Sequence, residues 1–145
     1  MVMSKAGLQV LKMAEGFRRH IYKDAAGLPT IGYGHRLLAE ESFPEGISED
    51  EASKLLSADL QWAEQSVLRM VKVALTQGQF DALVDFVYNL GVARLAESTL
   101  LHLLNAGDYE AAARQFLLWD KVNGCVSPAL LRRRQAELTL WRSAN

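Results

Sequence analysis

The feature that most restricts what this chain can fold into is a change of hydrophobic period near residue 18. From Ser4, a candidate N-cap, to about Arg18 the spacing predicts a helix. On a wheel of about 100° per residue, Leu8, Val10, Leu11, Met13, Ala14 and Phe17 share one broad arc, with Lys5, Gln9 and Lys12 opposite. The helical period then stops. His20-Ile21-Tyr22-Lys23-Asp24 and Thr30-Ile31-Gly32-Tyr33-Gly34-His35 read as two β-runs, separated by the turn chemistry of Ala25-Ala26-Gly27-Leu28-Pro29. A polar loop from Leu38 to Gly46 follows, and the helical period then returns. A small hairpin followed by helices is an α+β chain, with a minor β-rich lobe and a major helical lobe.

The helix starts are marked. Ser48-Glu49-Asp50-Glu51 is a capping box for a long helix to about Met70, with Ala52, Leu55, Leu56, Leu60, Ala63 and Val67 inward. Thr76-Gln77-Gly78-Gln79 repeats the box, and Gly91 stops the helix it opens. Ser98 and Asp108 cap shorter helices over Thr99–Asn105 and Tyr109–Trp119, and Ser127 with Pro128 starts a last helix ending near Trp141. No linker or repeat divides the 145 residues. The chain therefore reads as one domain, 1–145, with a β-rich lobe at about 18–47, a helical lobe at about 70–145 and the 48–70 helix joining them.

Composition removes several function classes. With 17 acidic against 16 basic residues, bulk electrostatics do not favour a nucleic-acid partner. The single cysteine, Cys125, excludes an internal disulfide framework and a multi-cysteine zinc site, and spacing gives it no catalytic partner. No apolar run approaches the ~18–20 residues of a membrane span, so stable membrane insertion is not expected. Nor does Met1-Val2-Met3-Ser4-Lys5 open a secretory signal.

Three side chains are candidates for chemistry. Glu15 falls at the edge of the apolar arc, either as a surface charge or as a partly buried acid; burial favours the protonated form that a general acid near neutrality needs. Asp24 stands at the mouth of the turn, where an aspartate ordinarily caps its own backbone, and Thr30 opens the return strand, where it is ordinarily just a β-former. Taken together, a helix-end Glu, a hairpin Asp and a facing Thr could converge on one cleft between the lobes. Two carboxylates flanking a sugar–sugar bond are the equipment of glycoside hydrolysis.

The runs Ala14-Glu15-Gly16-Phe17-Arg18, Tyr22-Lys23-Asp24 and Pro29-Thr30-Ile31-Gly32-Tyr33-Gly34-His35 resemble the T4-type phage lysozymes, glycoside hydrolase family 24, especially the shorter endolysins of lambdoid and P22-like phages. The resemblance continues through Phe86-Val87-Tyr88-Asn89-Leu90-Gly91, Ser98-Thr99-Leu100-Leu101, Gly107–Ala112 and Leu131–Arg134, so it covers nearly the whole chain. It implies a lysozyme-like fold and an endolysin muramidase. Such an enzyme hydrolyses the β-1,4 bond between N-acetylmuramic acid and N-acetylglucosamine in the glycan strands of peptidoglycan, for host-cell lysis. Glu15 would be the general acid, and Asp24 and Thr30 would hold the attacking water with inversion, across a carboxylate gap of about 6.5–9.5 Å. No metal or organic cofactor is implied.

By the same resemblance Tyr88, Asn89, Ser98 and Gln115 contact substrate; otherwise Tyr88 fills core, Asn89 satisfies a helix end and Ser98 is a cap. Leu131, Arg134, Leu138 and Trp141 share a stripe of the last helix, which turns Arg134 inward; the resemblance implies that this is the arginine that pairs with the catalytic glutamate. Arg132 and Arg133 read as a solvated face or an attraction for the anionic wall, and His35 as a structural ion-pairing residue. Some relatives carry an N-terminal signal-anchor; this sequence shows none, so the chain is expected either to be held in the host cytoplasm until a holin releases it to the periplasm and cell wall, or to have been trimmed of such a segment. With no heptad seam and no basic tail, a monomer is expected. Two alternatives stay open: a lytic transglycosylase, and a catalytically dead relative that only binds peptidoglycan. The intact Glu15, Asp24 and Thr30 weigh against both.

Overall fold

A computed structural model of the chain describes residues 1–143. It forms two compact units, one of residues 12–61 and one of residues 1–11 with the chain from Trp62 onward. Helices α1 (Lys5–Glu15) and α2 (Glu49–Met70) each begin in one unit and end in the other. The unit boundaries therefore fall inside helices, outside the 18–47 and 70–145 limits read from periodicity.

In the 12–61 unit, α1 ends at Glu15, three residues short of the expected Arg18. Gly16 takes φ +74° and its N–H closes on the Lys12 carbonyl at 2.9 Å, a left-handed C-terminal stop. Only Gly7 and Leu11 are buried on α1; Met13, expected inward, is 89% exposed. The sheet that follows has three antiparallel strands, β1 (Arg18–Lys23), β2 (Pro29–Gly32) and β3 (His35–Arg36). The expected single run Thr30–His35 is thus two strands, because Gly32 and Gly34, at φ +67° and +85°, turn the chain back between them. Ile31, Ile47 and, from α2, Ala52 and Leu56 form the unit's core. Ser48 caps α2 in the expected reciprocal box, its hydroxyl accepting from the Glu51 N–H while Glu51 accepts from the Ser48 N–H, both at 3.1 Å.

His35 is buried and structural, as its strand-end position implied. Its Nδ1 lies 2.7 Å from Asp59 on α2 and its Nε2 2.8 Å from Glu41, which also accepts the Leu38 N–H. Burial opposes the imidazolium, but hydrogen bonds to Glu41 and Asp59 outweigh it, and the histidine pKa is raised. A raised folded-state pKa gives stability that is complete below the unfolded value of about 6.5 and lost as pH rises through the folded one. Asp59, pushed up by its own burial, works against the pair, whereas Glu41, held low first by the Leu38 N–H, works with it above the ordinary glutamate range. His35→Asn is therefore expected to cost more stability at pH 6 than at pH 8. Thermal melts across that interval check this, and parallel curves for variant and parent would refute it.

The larger unit contains α3 (Gln77–Leu90), α4 (Val92–Ala96), α5 (Thr99–Asn105), α6 (Tyr109–Gln115), a 3-10 turn (Phe116–Leu118), the hairpin strands β4 (Lys121–Val122) and β5 (Cys125–Val126), and α7 (Pro128–Trp141). Thr76, Ser98, Asp108 and Ser127 all cap as anticipated. Residues 80–87 of α3 are all buried, so this helix is the unit's centre, and it packs along α7. Phe86 meets Phe116 and Trp119 edge-on at 5.8 and 5.4 Å, and Phe116 meets Trp141 at 5.3 Å. The helix expected to run through Trp119 closes as a 3-10 turn, and Asn123-Gly124 is the turn of a hairpin, with Asn123 at φ 51°.

Arg132 is exposed, but Arg133 is not the solvated residue the sequence suggested. Its Nε and Nη2 grip both carboxylate oxygens of Asp85 at 3.0 and 2.9 Å, with Asp85 fully buried. Asp85 is a buried acid in the middle of α3, and that acid draws the arginine in.

Candidate active site

Glu15, Asp24 and Thr30 all belong to the 12–61 unit. Asp24 is the turn cap its position predicted: its Oδ1 accepts the N–H groups of Ala26 and Leu28, each at 2.9 Å. Its Oδ2 accepts from Arg36 Nε at 3.2 Å. The Leu28 N–H most of all, then the Ala26 N–H and Arg36, hold the carboxyl below its ordinary pKa, so it is ionised at neutral pH.

One carbonyl joins Asp24 to Thr30. Leu28 O accepts from the Asp24 backbone N–H at 2.9 Å and from the Thr30 hydroxyl at 2.9 Å. Thr30 is 2% exposed, and with its only proton given to Leu28 its oxygen offers lone pairs to any further partner. The turn thus ties the Asp24 backbone and the Thr30 hydroxyl to one carbonyl and leaves that hydroxyl oxygen as an acceptor.

Glu15, half-buried at the end of α1, reaches the same neighbourhood through Tyr22. Tyr22 faces Thr30 in the β1–β2 register, and the Arg18 guanidinium lies 4.3 Å from its ring centre. Burial raises the Tyr22 phenol pKa first; Glu15 and Asp24 both add to the rise, against Arg18. One phenol therefore feels both carboxylates. Neither Tyr22 nor Arg36 was singled out as a site residue. The pairing that sets Arg36 opposite Thr30 becomes readable only once β3 is recognised as a strand.

The remaining candidates lie in the other unit. Tyr88 and Asn89 are half-buried near the end of α3, where Tyr88 stacks with Trp62 at 6.5 Å. Asn89 Oδ1 accepts from Arg134 at 2.8 Å. Arg134 points inward as the stripe implied; it is fully buried, and its Nε lies 2.7 Å from Glu137. Ser98 is buried, its hydroxyl donating to Leu95 O and accepting from the Leu101 N–H, so the cap occupies it. Gln115 ends α6, half-buried.

A family model described as phage lysozyme matches residues 12–137. The chain belongs to the phage lysozyme family. It is 42% identical over 146 residues to the endolysin of Salmonella phage P22, covering 99% of both chains. It is 44% identical over 144 residues to the endolysin of Bacillus phage B103, where 97% of this chain spans about half, 54%, of that relative. The crystal structure of a P22 lysozyme point mutant superposes with a TM-score of 0.89 at 39% identity, covering 99% of each chain. The α+β, lysozyme-like fold expected from the sequence is therefore the fold of this phage lysozyme.

Chemically, the phage lysozyme's turn can orient a water molecule. Asp24 and Thr30 both offer acceptors to its two protons, which leaves an oxygen lone pair free to attack. Glu15 is a second carboxyl whose charge acts on the same Tyr22 phenol.

Proposed function

We propose that this chain is an endolysin muramidase that hydrolyses the β-1,4 bond between N-acetylmuramic acid and N-acetylglucosamine in peptidoglycan glycan strands. Glu15 gives its proton to the glycosidic oxygen as the anomeric bond breaks. A water held by Asp24 and Thr30 attacks the opposite face of the anomeric carbon, and Asp24 takes the water's proton. The product has inverted configuration. The observation that supports this reading is the shared Leu28 carbonyl, which ties the Asp24 backbone and the Thr30 hydroxyl to one turn. Transglycosylation needs no such pair and is not favoured; nor is a binder that keeps a carboxylate and an acceptor hydroxyl together. Tyr88, Asn89 and Gln115 are assigned to glycan contact, and Ser98 to capping α5. The enzyme works at the cell wall as a monomer, reaching it from the host cytoplasm with the help of a separate membrane-permeabilising protein.

Mass spectrometry of muropeptides released from purified peptidoglycan tests the reaction, with NMR reading the first anomer formed. Reducing ends and an initial α-anomer are expected. A 1,6-anhydro end would mean transglycosylation, a β-anomer retention, and no release a binding protein.

A further inference from the structure

We propose that Arg36 is a positioning residue for Asp24, its guanidinium holding one carboxylate oxygen so that a single acceptor direction is left for the attacking water. The inference rests on the hydrolytic reading above and deepens it. A carboxylate offers about four lone-pair directions. In Asp24 the Ala26 and Leu28 N–H groups occupy two on Oδ1, and Arg36 Nε occupies one on Oδ2. The strand register delivers the cation: Thr30 pairs with Arg36 across β2 and β3, and with Tyr22 across β1 and β2. Arg36 therefore stands directly across from the hydroxyl that holds the same water. The alternation that buries His35 turns Arg36 outward, with 65% of its side chain exposed.

The titratable and charged groups acting at this carboxylate are Arg36 from β3 and the Tyr22 phenol from β1. Loss of the cation has two consequences. A second direction opens on Oδ2, so the water loses its unique orientation. Asp24 also takes up a proton at higher pH than before, so the loss deepens as pH falls.

The test compares the parent with Arg36→Gln and Arg36→Lys on soluble glycan fragments of peptidoglycan, reading kcat and KM from acid to neutral pH. Arg36→Gln is expected to lower kcat by about two- to fivefold, the scale of an exposed ion pair, with the larger loss at acid pH and KM unchanged. Arg36→Lys is expected to recover most of it. Raised salt, which screens an exposed pair, is expected to move the parent's profile toward that of Arg36→Gln, and this arm holds even if the variant folds poorly. A parallel profile with full kcat overturns the inference. So does a raised KM at unchanged kcat, which would make Arg36 a glycan contact. A Glu15→Gln control separates the failures: an active control sinks the hydrolytic reading itself, whereas an inactive control beside an unchanged Arg36→Gln profile sinks only this inference.

Discussion

Glu15→Gln is expected to slow lysis of cell walls by about 10²–10⁴-fold, the usual contribution of a general acid, while the protein still folds. The amide keeps the size of the side chain but has no proton to give a departing sugar oxygen. Because Glu15 sits half-buried at the last position of α1, outside both cores, the melting temperature is expected to stay near that of the parent. The decisive comparison is turbidity loss of purified walls alongside a thermal melt. Near-normal lysis by a folded variant would remove Glu15 from the reaction. Collapse of both activity and stability would make it a structural residue.

Asp24 makes a useful contrast. Asparagine there can still accept the Ala26 and Leu28 N–H groups through its one carbonyl oxygen, so the turn survives, while the proton acceptor and the Arg36 pair are lost. On the proposed reaction the two substitutions separately remove the proton donor to the leaving oxygen and the proton acceptor for the water, each with little disturbance of the backbone.

The parts of this site that local chemistry dictates were legible in the sequence. Asp24 at a turn mouth caps that turn, and Ser48, Thr76, Ser98 and Ser127 start their helices, because each acts within three or four residues along the chain. Features that depend on a single residue's φ were misread. Gly16 ends α1 although Phe17 continues the apolar period, and Gly32 with Gly34 splits a run whose branched and aromatic composition reads as one strand. The hairpin at Asn123-Gly124 has strands of two exposed residues each, too short for any alternation to register. Its Asn-Gly pair was the available signal. Arg36 stayed invisible for the same reason: its role follows from the register of β3.

Arg133 shows what periodicity alone leaves out, and its replacement is expected to have the largest effect on stability. Arg133→Met leaves Asp85 fully buried without its forked partner, and breaking a buried pair from one side costs about 3–5 kcal/mol. For a domain of this size that is a fall of roughly 10–20 °C in Tm, whereas Arg132→Ala, on the exposed neighbour, is expected to cost about 0.5 kcal/mol or less. The pH dependence follows from the acid. Burial raises the Asp85 pKa, but a hydrogen bond with Glu137 and the Arg133 charge outweigh it, so in the parent Asp85 contributes stability above the ordinary aspartate range and loses it as pH falls. Without Arg133 that contribution is gone, so the gap between variant and parent narrows toward acid pH. Replacing both partners, Asp85→Leu with Arg133→Met, removes the stranded charge and is expected to recover much of the loss, since an apolar pair of similar volume is often as stable as a buried ion pair. Melts of the two single variants and the double variant at neutral and acid pH complete the cycle. If Arg133→Met melted like Arg132→Ala, the forked contact would carry no stability, and the buried acid on α3 would have to be held by the Glu137 hydrogen bond and the Arg134 charge instead.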